Sequence, residues 1–274
     1  MVIDSHVHFW KYNKTDYTWI DSSMKLLQKD YLPTELEATL KRNFVDGCVA
    51  VQANQTEVDT RFLAELAITH PVIKGVVGWT DLSATDAEKK LAELKAYTPI
   101  VGLRHIAQSE PDDFYHGPEF RRGLGLLQQF GYTFDLLIFP RQLRAARDLV
   151  GEFPGQTFIL DHCGKPNIKK HGLEEWKNTL QELAAYPNVY CKLSGLITEA
   201  AWKDWRPSDF YPYLDVVFEA FGTGRLMFGS DWPVMLLSGM YVQWKSLLEK
   251  YTEHLLPEDK EKIFGLTARR VYGI

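Results

Sequence analysis

His6 and His8 lie two residues apart in the apolar, β-prone stretch Val2-Ile3-Asp4-Ser5-His6-Val7-His8-Phe9. On a strand, side chains at i and i+2 share a face, roughly 7 Å apart by twice the residue rise. Two neutral imidazoles on one face make half of a metal site, or two proton-carrying groups around one substrate atom. The competing reading is a surface strand end that carries two histidines by chance. Further polar residues close later apolar runs: Gln52, Asn54 and Gln55; Trp79 and Asp81; Arg104 and His105; Asp161 and His162; Lys192 and Ser194; Ser230, Asp231 and Trp232. Some of these have structural alternatives. Asp161 can cap a turn or orient His162, and Lys192, with apolar neighbours, must reach a carboxylate or point into a site. His70, His171 and His254 read as solvated, and His116 in the loop 110–118 reads either way.

Eight short β-prone runs carry these residues at their ends: 2–7, 47–53, 73–79, 99–106, 132–138, 157–162, 188–194 and 225–230. Several are almost wholly apolar, as strands buried on both faces under helices are. Amphipathic segments alternate with them. Thr34 with Glu37 and Thr85 with Glu88 fit the capping-box spacing at helix starts, and Gly131 stands where a left-handed helix end is wanted. The segment from Glu174 to Ala185 sets Trp176, Leu180 and Leu183 at helical spacing, a core stripe. Eight strand–helix units predict an α/β fold, a single-domain (β/α)8 TIM barrel over residues 1–274, with its active site at the C-terminal strand ends. No Gly-x-Gly-x-x-Gly motif follows any strand, which disfavours an open dinucleotide-binding sheet.

The 274 residues are 45% hydrophobic and 24% charged, with a net charge of -5 spread along the chain. This is the composition of an ordinary globular protein, and nothing in it points to nucleic acid or a membrane. Cys48, Cys163 and Cys191 are isolated, which fits a reducing, cytoplasmic setting. The helical faces show no distinctive seam and leave the oligomeric state open.

Six segments resemble the amidohydrolase superfamily, in particular the branch that contains sugar-lactone and pyrone-dicarboxylate lactonases. They are Ile3-Asp4-Ser5-His6-Val7-His8-Phe9-Trp10, Val51-Gln52-Ala53, Gly102-Leu103-Arg104-His105-Ile106, Asp161-His162-Cys163-Gly164-Lys165-Pro166, Cys191-Lys192-Leu193-Ser194-Gly195-Leu196 and Phe228-Gly229-Ser230-Asp231-Trp232-Pro233. They run in register from end to end. Within the branch, Arg104-His105-Ile106-Ala107-Gln108-Ser109-Glu110-Pro111 and Thr198-Glu199-Ala200-Ala201-Trp202-Lys203-Asp204-Trp205 are most similar to the L-fucono- and L-rhamnonolactone hydrolases. Arg104 is the one obvious arginine at the strand ends, which suits a neutral polyhydroxylated ring better than a dianion. Strand four offers no bridging lysine or glutamate, and strand five ends without a histidine, so a two-metal site is not expected.

The resemblance implies hydrolysis of a lactone, a small-molecule ester, to its aldonic acid. Asp231 is then the general base on water, and His6, His8 and His162 polarise the carbonyl. The same four residues suit one Zn²⁺. The resemblance leaves the metal open, because members of this branch work with and without one. Arg104, His105 and Gln52 are expected to grip substrate oxygens, with Trp202 and Trp232 as flat apolar faces. The aromatic stretch between His8 and Pro33 (Phe9, Trp10, Tyr12, Tyr17 and Trp19) is expected to line the mouth or to plug the barrel top. Two other readings stand beside this one: a metal-dependent decarboxylase on the same barrel, with Arg104 holding the carboxylate, and a non-catalytic sugar-acid binder.

Overall fold

The computed structural model describes residues 1–274. All eight expected strands form: β1 Ile3–Val7, β2 Gly47–Val51, β3 Ile73–Gly78, β4 Ile100–Ile106, β5 Thr133–Leu137, β6 Phe158–Leu160, β7 Val189–Leu193 and β8 Leu226–Phe228. They lie side by side in sequence order, every neighbouring pair parallel. The ring closes between β8 and β1 through the end of β1, His8 just past it, and the residues that follow β8. Val7 bridges to Trp232, the His8 N–H donates to the Trp232 carbonyl (2.7 Å) and the Asp231 N–H to the His6 carbonyl (2.9 Å). The seam of the barrel is therefore built from the residues singled out for chemistry.

Helices cover the outside: α1 Pro33–Arg42, α2 Glu57–Thr69, α3 Ala87–Leu94, α4 Pro118–Phe130, α5 Leu143–Glu152, α6 Glu174–Ala184, α7 Leu196–Glu199, α8 Tyr211–Phe221 and α9 Tyr241–Tyr251. After α9 come α10 (Pro257–Glu261), a π-helical turn (Lys262–Leu266) and α11 (Thr267–Tyr272). A main core of 67 buried residues joins helices to strands. A smaller cluster fills the barrel bottom, where Ile3, Val49, Val51, Val77, Ile159 and Met227 meet Ala268 and Tyr272 of α11. The C-terminal helix thus plugs the end opposite the site.

Neither expected capping box forms. Pro33 takes the first turn of α1 behind Leu32, so Thr34 lies inside the helix with no cap to make. Helix α3 begins at Ala87, and Thr85 stays outside it. The side-chain cap of this kind is at α2, where the Thr56 hydroxyl accepts from the Asp59 N–H (3.1 Å). Gly131 does end α4 in the left-handed region (φ 67°), and Trp176, Leu180 and Leu183 are the buried stripe of α6. Strand β6 is shorter than expected because the chain turns left-handed at His162, Cys163, Gly164 and Lys165.

Candidate active site

The barrel interior carries a charged floor. Lys192 of β7 is fully buried and reaches Asp135 of β5 as well as Asp161 (2.9 Å), which follows β6. Arg104 of β4 donates to Asp161 (3.0 Å) and to the Gln52 carbonyl. All of these contacts except Lys192–Asp161 join strands that are not neighbours, so the side chains cross the inside of the barrel. Tyr272 of α11 closes the layer from below, its hydroxyl donating to Asp135 (2.9 Å). Two carboxylates thus face two cations, the condition under which buried charge is tolerated. Burial opposes ionisation of Asp161, but Lys192, His6 and Arg104 outweigh it and hold its carboxyl well below the usual range. For Asp135 burial prevails over the pull of Lys192, and its carboxyl is raised.

His6 rests on this floor. Its Nδ1 lies 3.3 Å from Asp161 Oδ1 and 3.2 Å from Lys192 Nζ. The β1–β2 register shifts between Asp4 and Val7, across the stretch that contains His6. Asp4 fastens this stretch: it accepts from the N–H groups of Ser230 (2.8 Å) and His6 (3.1 Å) and from the Tyr241 hydroxyl (2.8 Å). Burial raises Asp4 to about 6, against the pull of those hydrogen bonds.

Above the floor four groups converge. His6 Nε2 is 3.2 Å from His8 Nε2 and 3.8 Å from Asp231 Oδ1. Asp231 Oδ1 is 3.3 Å from His8 Nε2 and 4.0 Å from His162 Nε2. The outer nitrogens are occupied, His8 Nδ1 by the Val51 carbonyl (2.7 Å) and His162 Nδ1 by the Ser194 hydroxyl (2.8 Å). The His8 bond requires a proton on Nδ1 and leaves the Nε2 lone pair facing the cluster. Burial drives His6 well below the ordinary histidine value and His162 to about 4, against the pull of nearby carboxylates. Both imidazoles are therefore neutral at neutral pH. Burial disfavours the Asp231 carboxylate, yet His162, His8 and Lys165 outweigh it and hold the group ionised.

Local backbone makes this convergence fit. Asp231 is itself left-handed (φ 63°). Gly195 (φ 66°) passes directly beneath His162, where a Cβ would lie 2.5 Å from its ring. A side chain at 195 would displace the imidazole.

The donor set suits a metal. Nε2 and carboxylate oxygens about 2.0–2.2 Å from a tetrahedral zinc lie roughly 3.3–3.5 Å apart, and the spacings above bracket that range. His6, His8 and Asp231 fall within metal-holding distance of one another, and each histidine has the outer-nitrogen partner that orients a ligand.

A cavity of about 490 Å³ opens over the cluster. Of the residues expected to touch substrate, His8, His162, Asp231, Arg104 and Trp202 line it. His6 lies just beneath, fully buried. Three others are placed elsewhere. Gln52 is a strut, its amide donating to the Arg104 carbonyl (3.3 Å). His105 points out of the barrel, as alternation along β4 requires once Arg104 points in; it stacks on Phe114 and meets Glu110 (3.0 Å). Trp232 is buried against Phe9 and Tyr31 as part of the plug at the barrel top. Most of the aromatic stretch does the same, Trp10 lying wholly buried, while Trp19 reaches the cavity wall. Lys192, for which two readings stood, is the sealed ion pair.

Asp135, Lys165 and Glu199 escape the sequence reading. Asp135 had a signal, a lone charge inside a buried strand that must have a partner. Lys165 sits in a loop and Glu199 at the end of the short helix α7, where charge is ordinary, and nothing marks them.

The parallel barrel and this cluster define an amidohydrolase-type (β/α)8 protein. The chain belongs to the amidohydrolase family, which matches residues 3–274. It is 40% identical to an L-fucono-1,5-lactonase of Burkholderia multivorans, over 99% of this chain and 96% of the relative. It is 35% identical to an L-fucono-1,5-lactonase of Burkholderia ambifaria, over 99% and 95%. A crystal structure of an amidohydrolase from Burkholderia multivorans with bound zinc superposes with a TM-score of 0.96 at 41% identity, covering 100% of this chain and 99% of that one.

Proposed function

We propose that this chain hydrolyses a sugar lactone of the L-fucono or L-rhamnono type to its aldonic acid. The observation that carries the reading is the convergence of three imidazoles and one carboxylate under a single cavity. The relatives named as L-fucono-1,5-lactonases support the substrate class. The charge of the wall supports a neutral ring. Its two long-chain cations are both engaged, Arg104 with Asp161 and Gln52, Lys165 with Glu199. Each cation is already charge-compensated by a carboxylate, so the wall offers no uncompensated positive charge to the carboxylate a decarboxylase substrate would bring.

In this reading Asp231 takes a proton from the attacking water, and a hydroxide equivalent adds to the lactone carbonyl. The Nε2 faces of His8 and His162 and the guanidinium of Arg104 surround the oxygen on which charge develops. When the tetrahedral adduct collapses, the ring C–O bond breaks. Asp231 returns its proton to the departing ring oxygen, leaving one carboxylate and one new hydroxyl. His6, His8, His162 and Asp231 would hold one zinc ion, which supplies a Lewis acid at this point. The sealed floor holds His6 and Arg104 in place. The three cysteines are free and buried, which fits a cytoplasmic enzyme.

A pH-indicator assay against L-fucono-, L-rhamnono-, L-galactono- and D-arabinonolactone, with and without chelator, tests the reading. Acid release is expected from at least one L-lactone. Loss on chelation with recovery on adding Zn²⁺ would assign the metal, and activity that survives chelation would assign the chemistry to the side chains alone. No acid release from any lactone would overturn the proposal.

A further inference from the structure

We propose that Lys165 and Glu199 form the subsite that reads the hydroxyl groups of the substrate. The inference rests on the lactonase reading above and extends it from the ester end of the ring to the opposite end.

The two side chains meet at 3.0 Å, each about 20% exposed. They stand where the reaction cavity borders an outer cleft of about 1150 Å³, and both line each space, as do Thr198 and Trp202. Neither has another polar side-chain partner; the remaining neighbour of the ammonium is the Phe139 ring, 5.5 Å to its centroid. An ammonium has three donors and a carboxylate about four acceptor sites, so a single ion pair leaves both with unused capacity beside a cavity. A donor and an acceptor side by side are the complement of a vicinal diol, in which one hydroxyl accepts from the ammonium and its neighbour donates to the carboxylate. Trp202, 39% exposed and held by its indole N–H on the Thr198 carbonyl (2.9 Å), adds the flat face on which a sugar ring packs.

Backbone conformation points the same way. Lys165 is left-handed (φ 51°), the last of four consecutive residues in that region, and its N–H returns to the His162 carbonyl (2.8 Å). A lysine in this conformation is disfavoured, and such strain concentrates at functional sites. A single ion pair at the rim of a cavity contributes little stability by itself, so a purely structural role accounts poorly for it. The turn links the two tasks directly: the segment that aims His162 at the reacting carbonyl aims Lys165 at the rest of the ring.

The test compares Glu199→Gln and Lys165→Met with the parent on two substrates, a hydroxylated six-carbon lactone that the parent opens and unsubstituted δ-valerolactone. Loss of a hydrogen-bonding partner for substrate hydroxyls is expected to raise KM for the hydroxylated lactone about tenfold or more. The kcat/KM for δ-valerolactone should fall about tenfold less than that for the hydroxylated lactone, a ratio that cancels the effect of Lys165 on the ionisation of Asp231. Equal loss on both substrates, or unchanged KM on the first, would overturn the proposal. Calorimetric binding of a non-hydrolysable δ-lactam bearing the same hydroxyls, against plain δ-valerolactam, decides the matter without turnover. Both variants should lose the preference for the hydroxylated lactam, and a retained preference would overturn the subsite. If the parent opens no lactone, the lactonase reading fails, while the lactam comparison still judges Lys165 and Glu199.

Discussion

Two buried polar layers lie one above the other in this barrel, and they solve the problem of buried charge in opposite ways. In the lower one, Asp135, Asp161, Lys192, Arg104 and Tyr272 pair with one another, and of these only Arg104 reaches the cavity above. In the upper one, three imidazoles surround a single carboxylate, and His8, His162 and Asp231 line the open cavity. The lower layer is compensated and therefore rigid. The upper layer is left incomplete, as the proposed chemistry requires. His6 belongs to both, with one nitrogen against the floor and the other in the cluster. Burial alone does not mark an active site; unfilled coordination facing a cavity does.

The comparison is broken most sharply by removing one member of each layer. Asp231→Asn keeps shape but removes the base, and its kcat should fall about 10³-fold, within the usual range for general acid–base groups. Thermal unfolding should show its Tm close to that of the parent. Retention of more than a tenth of the activity would move the base elsewhere. Lys192→Met should do the reverse. It leaves Asp135 buried without its cation and Asp161 with Arg104 alone, and should destabilise the protein by about 3–5 kcal/mol in denaturant unfolding. Adding Asp135→Asn should recover part of that loss; a single variant as stable as the parent would contradict the role of the floor.

A smaller effect is expected from pH. His162 stands at about 4 in the folded protein against an ordinary value of 6.5. The unfolded chain binds its proton first, so this contribution is present above pH 6.5 and is lost as pH falls from there toward 4. The difference corresponds to about 3 kcal/mol. Asp4 works in the opposite sense. Its folded value of about 6 lies above the ordinary 3.8, so its contribution diminishes as pH rises between the two. The clean readout is therefore the difference between metal-free parent and His162→Gln, whose unfolding free energies should converge as pH drops from 7 to 4.5. A constant gap would sink the assignment. The smallest change should come from His105→Phe, outside the barrel. It loses contacts to Glu110 and Trp79 worth about 1 kcal/mol, and kcat/KM should stay within about twofold. A large loss of activity would bring His105 back to the site.

Much of this molecule was legible before its structure. The near-continuous apolar runs marked parallel strands buried on both faces, and all eight were found, because burial on two sides leaves few polar positions to confuse the pattern. Polar residues at the ends of those runs stood out for the same reason, which is how His6, His8, His162 and Asp231 could be read. Helix starts were less legible. Thr34 and Thr85 fit the capping spacing, yet Pro33 and the chain entering α3 chose other first residues, since a cap depends on where packing stops the turn.

What the order of residues determined by itself was periodicity: strand, helix, barrel, and which residue types end each strand. What only the tertiary structure decided was direction and partnership. His105 and Arg104 are neighbours in sequence and opposite in role, because alternation about a closed sheet sends one in and the other out. Gln52 and Trp232 look like contacts for a substrate and are a strut and a plug. Lys165 and Glu199 look like solvated loop charges and face each other across a cavity wall. The physical reason is range. Periodicity is local and survives in a string of letters, whereas a carboxylate finds its cation, or remains free to act, only when strands far apart in sequence close into one ring.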